Sequence, residues 1–237
     1  MKKKKQNHRV GRPYKHLKVE PMTFTKLNED TKNRVDRISE EFKNGFTLIN
    51  GCRMAVTFWG SARTKPGEPD YIKAVSLAAR LAKLGYSVVT GGGPGIMAAG
   101  NCGAYDVGGK SVGLTIKLPM EQTTNLCLTH HMDFQYFFTR KVSLAFASDA
   151  YVYFPGGFGT LDELFEILTL VQTGKISPAP AIVLVGDKYW KDLDKFIKKQ
   201  LLKNNKISPE DLDLYTITEN EDEIIDIIKK SPSRKRD

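Results

Sequence analysis

Phe154-Pro155-Gly156-Gly157-Phe158-Gly159-Thr160-Leu161-Asp162-Glu163 is the stretch whose residue types and spacing point to chemistry. The apolar run Ala150 to Phe154 before it reads as a buried strand. Leu161, Leu164, Phe165, Leu168 and Val171 after it recur at helical spacing. Three glycines at a strand-to-helix turn let backbone N–H groups approach a ligand with no side chain in the way. The helix behind them adds unpaired N–H groups and a positive dipole end, so the turn suits an anion, phosphate above all. The same residues also fit a helix cap, with Thr160 as N-cap and Glu163 completing a capping box. A cap needs one glycine at most, so three glycines and a proline favour a ligand-binding loop.

Arg140 and Lys141 stand in the helix predicted just before the central strand, within Phe137-Phe138-Thr139-Arg140-Lys141. They either cover that helix's exposed face or supply the cations that phosphate or ribose recognition wants. Two further small-residue turns, Gly60-Ser61 and Gly91 to Gly95, end predicted strands.

The elements that must position these turns alternate along the chain. Val35, Ile38, Phe42 and Phe46 predict a helix from Asn28 to about Asn50, with Gly45 weakening its far end. Strands are predicted at 54–59, 86–90, 111–116, 126–134, 150–154, 180–185 and 214–217, with helices between them and a closing helix at 221–230. Pro94 suits the first turn of the helix after Gly91 to Gly95. This alternation predicts an α/β fold, a Rossmann-like doubly wound parallel sheet with helices on both faces and an N-terminal helical extension. The expected organisation is a basic, disordered tail over 1–27, one nucleotide-binding domain over 28–230 and a basic tail over 231–237. In such a sheet ligands bind outside the carboxyl ends of the strands, where all three turns lie.

Composition narrows the class. The 237 residues are 41% hydrophobic and 27% charged, ordinary for a soluble globular chain. No apolar stretch reaches the length of a membrane span, and Met1 leads into lysines instead of a signal peptide. The net charge of +9 is concentrated: residues 1–18 hold Lys2, Lys3, Lys4, Lys5, Arg9, Arg12, Lys15 and Lys18 and no acid. Such an arm can hold nucleic acid, but the solvated reading is preferred and nucleic acid is not expected as a partner. Cys52, Cys102 and Cys127 are odd in number and widely spaced, which argues against a disulfide framework or a zinc site and for a reducing cytosol.

Several motifs nearly match and fail. Gly91-x-Gly93 has Ile96 where a dinucleotide fingerprint needs glycine, and no acid ends the next strand. Gly109-Lys110-Ser111 has Ala104 in place of the first P-loop glycine and precedes a strand. His130 and His131 are adjacent on a strand and so point to opposite faces, a poor metal pair. No Ser-x-His-Lys supports a pyridoxal-phosphate lysine.

Arg140-Lys141 followed by Pro155-Gly156-Gly157-Phe158-Gly159-Thr160-Leu161-Asp162-Glu163 resembles the Lonely Guy family. Its members are cytokinin riboside 5′-monophosphate phosphoribohydrolases, long mislabelled lysine decarboxylases. Arg140 and Glu163, 23 residues apart, match the family's catalytic pair, and Gly91 to Met97 matches its other glycine turn. The resemblance covers roughly Phe42 to Ile228. The longer start and Gln172-Thr173-Gly174-Lys175 resemble the larger bacterial members; Ala98 departs from the glutamate that many of those carry.

The resemblance implies hydrolysis of the N-glycosidic bond of a nucleoside 5′-monophosphate to free base and ribose 5-phosphate. It implies Arg140 and Glu163 as catalytic residues, with the arginine keeping Glu163 charged. The expected substrate-binding set is Ser61, Gly93, Met97, Glu121, Lys141, Gly156, Gly157, Gly159 and Thr160. No metal or other cofactor is expected, and a homo-oligomer, dimer or hexamer, is. The alternatives are a broader purine or pyrimidine nucleotide nucleosidase, and a non-catalytic nucleotide- or molybdenum-cofactor-binding protein of the same fold.

Overall fold

The computed structural model describes residues 24–52, 54–117 and 124–232. The basic arm over 1–18, the end of the C-terminal tail and Glu121 lie outside the described residues. Strands β1 (Ala55–Trp59), β2 (Ser87–Thr90), β3 (Ser111–Ile116), β4 (His130–Phe134), β5 (Ala150–Tyr153), β6 (Ala181–Leu184) and β7 (Thr216–Ile217) form one sheet. Their order is β4-β3-β2-β1-β5-β6-β7, and every neighbouring pair is parallel. This is the Rossmann-like sheet that the alternation predicts. Chain order reverses between β1 and β5, and at such a point a crevice opens beyond the strands' carboxyl ends.

The inner strands β1, β2, β3, β5 and β6 read as apolar runs because both faces of the sheet are covered there, whereas edge strand β4 is mostly exposed. All five residues of β1 are buried. Val56 and Phe58 belong to the core under helices α2 (Pro69–Lys83), α3 (Ile96–Tyr105) and α7 (Glu221–Lys230). Ala55 and Trp59 belong to the opposite core, under α4 (Phe137–Phe146), α5 (Phe158–Gln172), α6 (Asp187–Phe196) and the last turn of α1 (Phe24–Asn50). Burying a residue such as Phe58 stabilises the fold by about 1.5–3 kcal/mol, so side-chain alternation on β1 fixes its register.

Gly45 does not end α1. A Cβ there would come within 2.7 Å of Ser143 Oγ and 3.1 Å of the Phe134 ring, so the missing side chain lets the helix settle against α4 and β4. One turn earlier, Glu41 accepts hydrogen bonds from Gln135 N–H at 2.7 Å and the Thr139 hydroxyl at 2.6 Å. A carboxylate at the N-terminus of α4 satisfies its orphan donors and favours its dipole. It therefore holds the helix that carries Arg140.

Some boundaries differ from expectation for visible reasons. Residues 126–129 form a loop, not the start of β4: Asn125 N–H donates to Gly92 O at 2.9 Å and the Asn125 amide to Gly93 O at 3.1 Å. The helix expected between the strands at 180–185 and 214–217 runs from Asp187 to Phe196 and continues as a π-helical segment, Ile197–Leu202. A 3-10 helix, Pro209–Leu214, stands where the final strand was expected to begin. Pro94 precedes the N-cap of α3, Gly95, and so lies outside its first turn. No helix among the described residues is long and apolar enough to cross a membrane.

The cysteine reading needs correction. Cys102 on α3 and Cys127 in the loop before β4 have Cα atoms 4.8 Å apart and are joined by a disulfide. Separation along the sequence does not measure separation across a sheet: α3 lies over β2 and β3, and the loop returns to the same place to start β4. Cys52 remains a buried thiol, directed at Leu48 O. Thiol titration of the denatured, unreduced protein is expected to find one reactive thiol per chain, rising to three after reduction. Three thiols before reduction would remove the bridge.

Candidate active site

The crevice between β1 and β5 opens into a cleft of about 970 Å³. Its floor is knitted by one residue. Ser61 N–H donates to Pro155 O at 3.0 Å, and Ser61 O accepts from Ile96 N–H at 3.0 Å, so the turns after β1 and β5 and the start of α3 share a backbone frame. Gly95 is required there: its φ is +70°, and a Cβ would lie 2.2 Å from Ser61 O.

The turn after β5 is not a capping box. Helix α5 begins at Phe158, its N-cap is Gly157, and no side chain caps it. Thr160 is instead buried inside the first turn, and Gly156 must be glycine because a Cβ would lie 2.1 Å from Thr160 Oγ1. Packing holds the helix start: Leu164 and Ile167 are fully buried, each contributing about 1.5–3 kcal/mol against about 1 kcal/mol for a cap. The orphan N–H groups are left for the cleft. Gly157 and Gly159 both line it, and a Cβ on either would meet nothing within 4 Å. The backbone is open to a ligand at those two residues.

Arg140 reaches the cleft from α4 and is 8% exposed. Its Nε donates to Leu114 O at 2.6 Å and its Nη2 to Gly91 O at 3.2 Å, so strand β3 and the β2 turn hold the guanidinium through neutral carbonyls. Burial pulls its pKa below the usual arginine range, and Glu163 opposes the shift. Lys141 is paired differently: its Nζ lies 2.7 Å from Asp162 Oδ2 and 3.4 Å from Glu166 Oε2. Burial works against its charge, but the Asp162 hydrogen bond and the nearby carboxylates outweigh burial and raise its pKa.

Glu163 is 6% exposed. Burial is the largest influence on its carboxyl and, with Glu166, pushes the pKa up to about 8 against the pull of Lys141 and, more weakly, Arg140. The expectation that Arg140 keeps Glu163 charged is thus corrected: desolvation exceeds the attraction of a guanidinium already engaged with carbonyls. Glu163 Oε2 and Trp59 Nε1 are buried without a hydrogen-bond partner among the described residues. Each such atom costs about 1–3 kcal/mol, an expense that a bound polar ligand would offset.

Of the residues singled out in the sequence, the cleft brings together Ser61, Met97, Arg140, Lys141, Gly156, Gly157, Gly159, Thr160 and Glu163. Gly93 stands behind the lining, its carbonyl taken by Asn125. Glu121 lies outside the described residues. Sequence reasoning missed Trp59, Arg63, Asp70 and Phe137, which also line the cleft. The first two flank Gly60-Ser61 at the end of β1, so the rule that located the turn could have located them. Asp70 opens α2, and burial raises its carboxyl pKa.

The family described as possible lysine decarboxylase matches residues 97–228. A probable cytokinin riboside 5′-monophosphate phosphoribohydrolase of Oryza sativa subsp. japonica is 35% identical over 138 residues, 57% of this chain and 64% of that one. A cytokinin riboside 5′-monophosphate phosphoribohydrolase of Arabidopsis thaliana is 32% identical over 163 residues, 68% of this chain and 71% of that one. The chain belongs to the Lonely Guy family. Its match to the rice protein spans less than two thirds of that protein's length. The fold is shared more widely: the molybdenum cofactor carrier protein of Chlamydomonas reinhardtii superposes with a TM-score of 0.55 at 21% identity, over 75% of this chain and 97% of that one. The Lonely Guy family match takes in Arg140, Glu163 and the turn after β5, but begins beyond Ser61.

Gly159 separates stability from binding. Replacing it with alanine fills open space in a helical residue, so Gly159→Ala is expected to raise stability by about 0.5–1 kcal/mol in urea denaturation. Calorimetry with ribose 5-phosphate is expected to show binding at least about tenfold weaker, the loss of one or more charge-assisted contacts. Unchanged affinity would take the turn out of the binding site.

Proposed function

We propose that this protein hydrolyses the N-glycosidic bond of a nucleoside 5′-monophosphate, with cytokinin riboside 5′-monophosphate or AMP as substrate, giving free base and ribose 5-phosphate. The observation that carries the reading is a buried carboxyl, Glu163, and a buried guanidinium, Arg140, beside the same open glycine turn. The two plant relatives, named for this reaction on cytokinin riboside 5′-monophosphate, support it.

The chemistry follows from the geometry. The phosphate sits on the N–H groups at Gly157 and Gly159 and the start of α5, and this remote binding energy orients the ribose. Cleavage passes through an oxocarbenium-like sugar. Glu163 in its ionised form stabilises that cation and takes the proton of the attacking water, while the bond electrons and a proton go to the departing base. Arg140, with no carboxylate among the described residues hydrogen-bonded to it, holds ribose or phosphate oxygens. Met97 and Phe137, which both line the cleft, are apolar surfaces for the base.

Purified protein incubated with AMP, isopentenyladenosine monophosphate, GMP and CMP is expected to release free base from the adenine-type nucleotides. Equal release from all four would broaden the activity to a general nucleotide nucleosidase, and intact nucleotide throughout would favour a carrier. Glu163→Gln is expected to lose at least about 10³-fold in kcat while still binding nucleotide. Because the carboxyl is raised and acts when ionised, kcat/KM is expected to fall about tenfold per pH unit below about 8 and to level off above it. A flat profile between pH 6 and 9 would rule out Glu163 as the base.

The same reading includes a homo-oligomer, dimer or hexamer. Phe137, Phe138 and Phe158 are 56%, 48% and 94% exposed beside the cleft or one residue from it, more apolar surface than a solvated rim needs. Light scattering at micromolar concentration is expected to give a multiple of the 26.6 kDa chain mass. Phe138→Glu is expected to lower the mass and the turnover together; a wild-type protein of 26.6 kDa would exclude assembly.

A further inference from the structure

Two carbonyls precede the open N–H groups of the turn after β5, and a different neighbour takes each. Pro155 O accepts from Ser61 N–H at 3.0 Å, on the β1 side. Gly156 O accepts from the hydroxyl of Tyr189, in the first turn of α6. Tyr189 does not line the cleft and has no part in the reaction as derived above. Its ring is held: it meets the Trp190 ring edge-on with centroids 4.8 Å apart, and Trp190 is fully buried, its Nε1–H donating to Val185 O at 3.0 Å. Gly186, the N-cap of α6, lies against the same turn, since a Cβ there would come within 3.3 Å of Pro155 Cγ.

The bond to Gly156 O decides where one N–H points. A peptide unit is planar and trans, so its carbonyl and its N–H face opposite ways. Strand order places β1 and the cleft on one side of β5, and β6 with the α6 that follows it on the other. With Gly156 O turned to α6, Gly157 N–H is turned to the cleft, which Gly157 lines. That N–H has no partner among the described residues, and no side chain caps α5. Glycine on both sides leaves this peptide free to rotate unless something outside the turn holds it. We propose that Tyr189 is the positioning residue for the substrate's 5′-phosphate: its hydroxyl holds the Gly156–Gly157 peptide with the N–H toward the anion. This rests on the reading of the turn after β5 as the phosphate site. A reversed peptide would present Gly156 O, an acceptor only, to an anion that needs donors. Tyr189 therefore governs affinity for the phosphate and leaves contacts with sugar and base unchanged.

Tyr189→Phe removes the hydroxyl and keeps the ring against Trp190. Calorimetry is expected to show ribose 5-phosphate binding at least about fivefold weaker in the variant, and adenosine, which lacks the phosphate, unchanged within about twofold. With AMP as substrate the loss is expected in KM, by a similar factor, and not in kcat, the mark of binding lost equally from ground and transition states. In ¹⁵N-glycine-labelled wild-type protein, ribose 5-phosphate is expected to shift the Gly157 amide resonance. Unchanged affinity for ribose 5-phosphate in a folded Tyr189→Phe protein would overturn the proposal, and so would equal weakening of both ligands or a loss confined to kcat. A Gly157 amide that stays in place while wild-type protein is saturated with ribose 5-phosphate would overturn it too, even where the variant does not fold. Wild-type protein that binds no ribose 5-phosphate loses the phosphate-site reading itself. Wild-type protein that binds it through Gly157, beside an unimpaired variant, loses only the role of Tyr189.

Discussion

The site depends on holding a guanidinium out of water without neutralising it. Arg140 donates to Leu114 O, on β3 just past its last residue paired with β2, and to Gly91 O, just after β2, and neither is charged. A carboxylate partner would have satisfied the same donors more strongly and would have left nothing for a ligand. The carbonyl cradle pays part of the desolvation cost and keeps the positive charge available. It exists because β2 ends at Thr90 while β3 runs on to Ile116, and because Gly91 has no side chain: a Cβ there would lie 2.2 Å from Arg140 Nη2. The glycine of the β2 turn therefore serves the arginine more directly than any ligand.

Much of this was legible in the sequence, for a physical reason. Fully buried parallel strands read as continuous apolar runs, and the turns after them read as glycine clusters, so strand order apart, the sheet and its three loops could be placed. Arg140 and Glu163 were found through a motif whose spacing of 23 residues spans one helix, one strand and one turn. Their environment was not legible. Whether Glu163 is charged depends on how much water reaches it, and burial is decided by α4, α5 and β5 together.

The errors share a cause. The capping box at Thr160 and Glu163 is a correct local pattern, overruled because packing of Leu164 and Ile167 starts α5 three residues earlier. The cysteines were judged by spacing along the chain, whereas Cys102 and Cys127 meet because α3 and the loop before β4 cover the same two strands. Gly93, placed in a ligand turn by sequence, has its carbonyl bonded to the Asn125 amide. In each case a local signal was read where a tertiary contact decided.

The arrangement of charge also bears on whether the cleft serves binding or catalysis. A site built only to hold an anion would gather N–H groups and cations and exclude carboxylates, because a buried acid beside a phosphate repels it when ionised and wastes a polar group when not. On the proposed reading the open turn at Gly157 and Gly159 supplies the anion-holding part, and Glu163 stands within one helical turn of it, buried and with Oε2 unpartnered among the described residues. Lys141, the cation that could have neutralised it, is drawn toward Asp162. Such a placement is unfavourable for an anion carrier. It is favourable where positive charge develops on the ligand during reaction, since a desolvated carboxyl interacts most strongly with a cation that forms next to it. Glycosidic cleavage of a phosphorylated ribose needs both halves at once, an anion site for the phosphate and an acid group for the sugar.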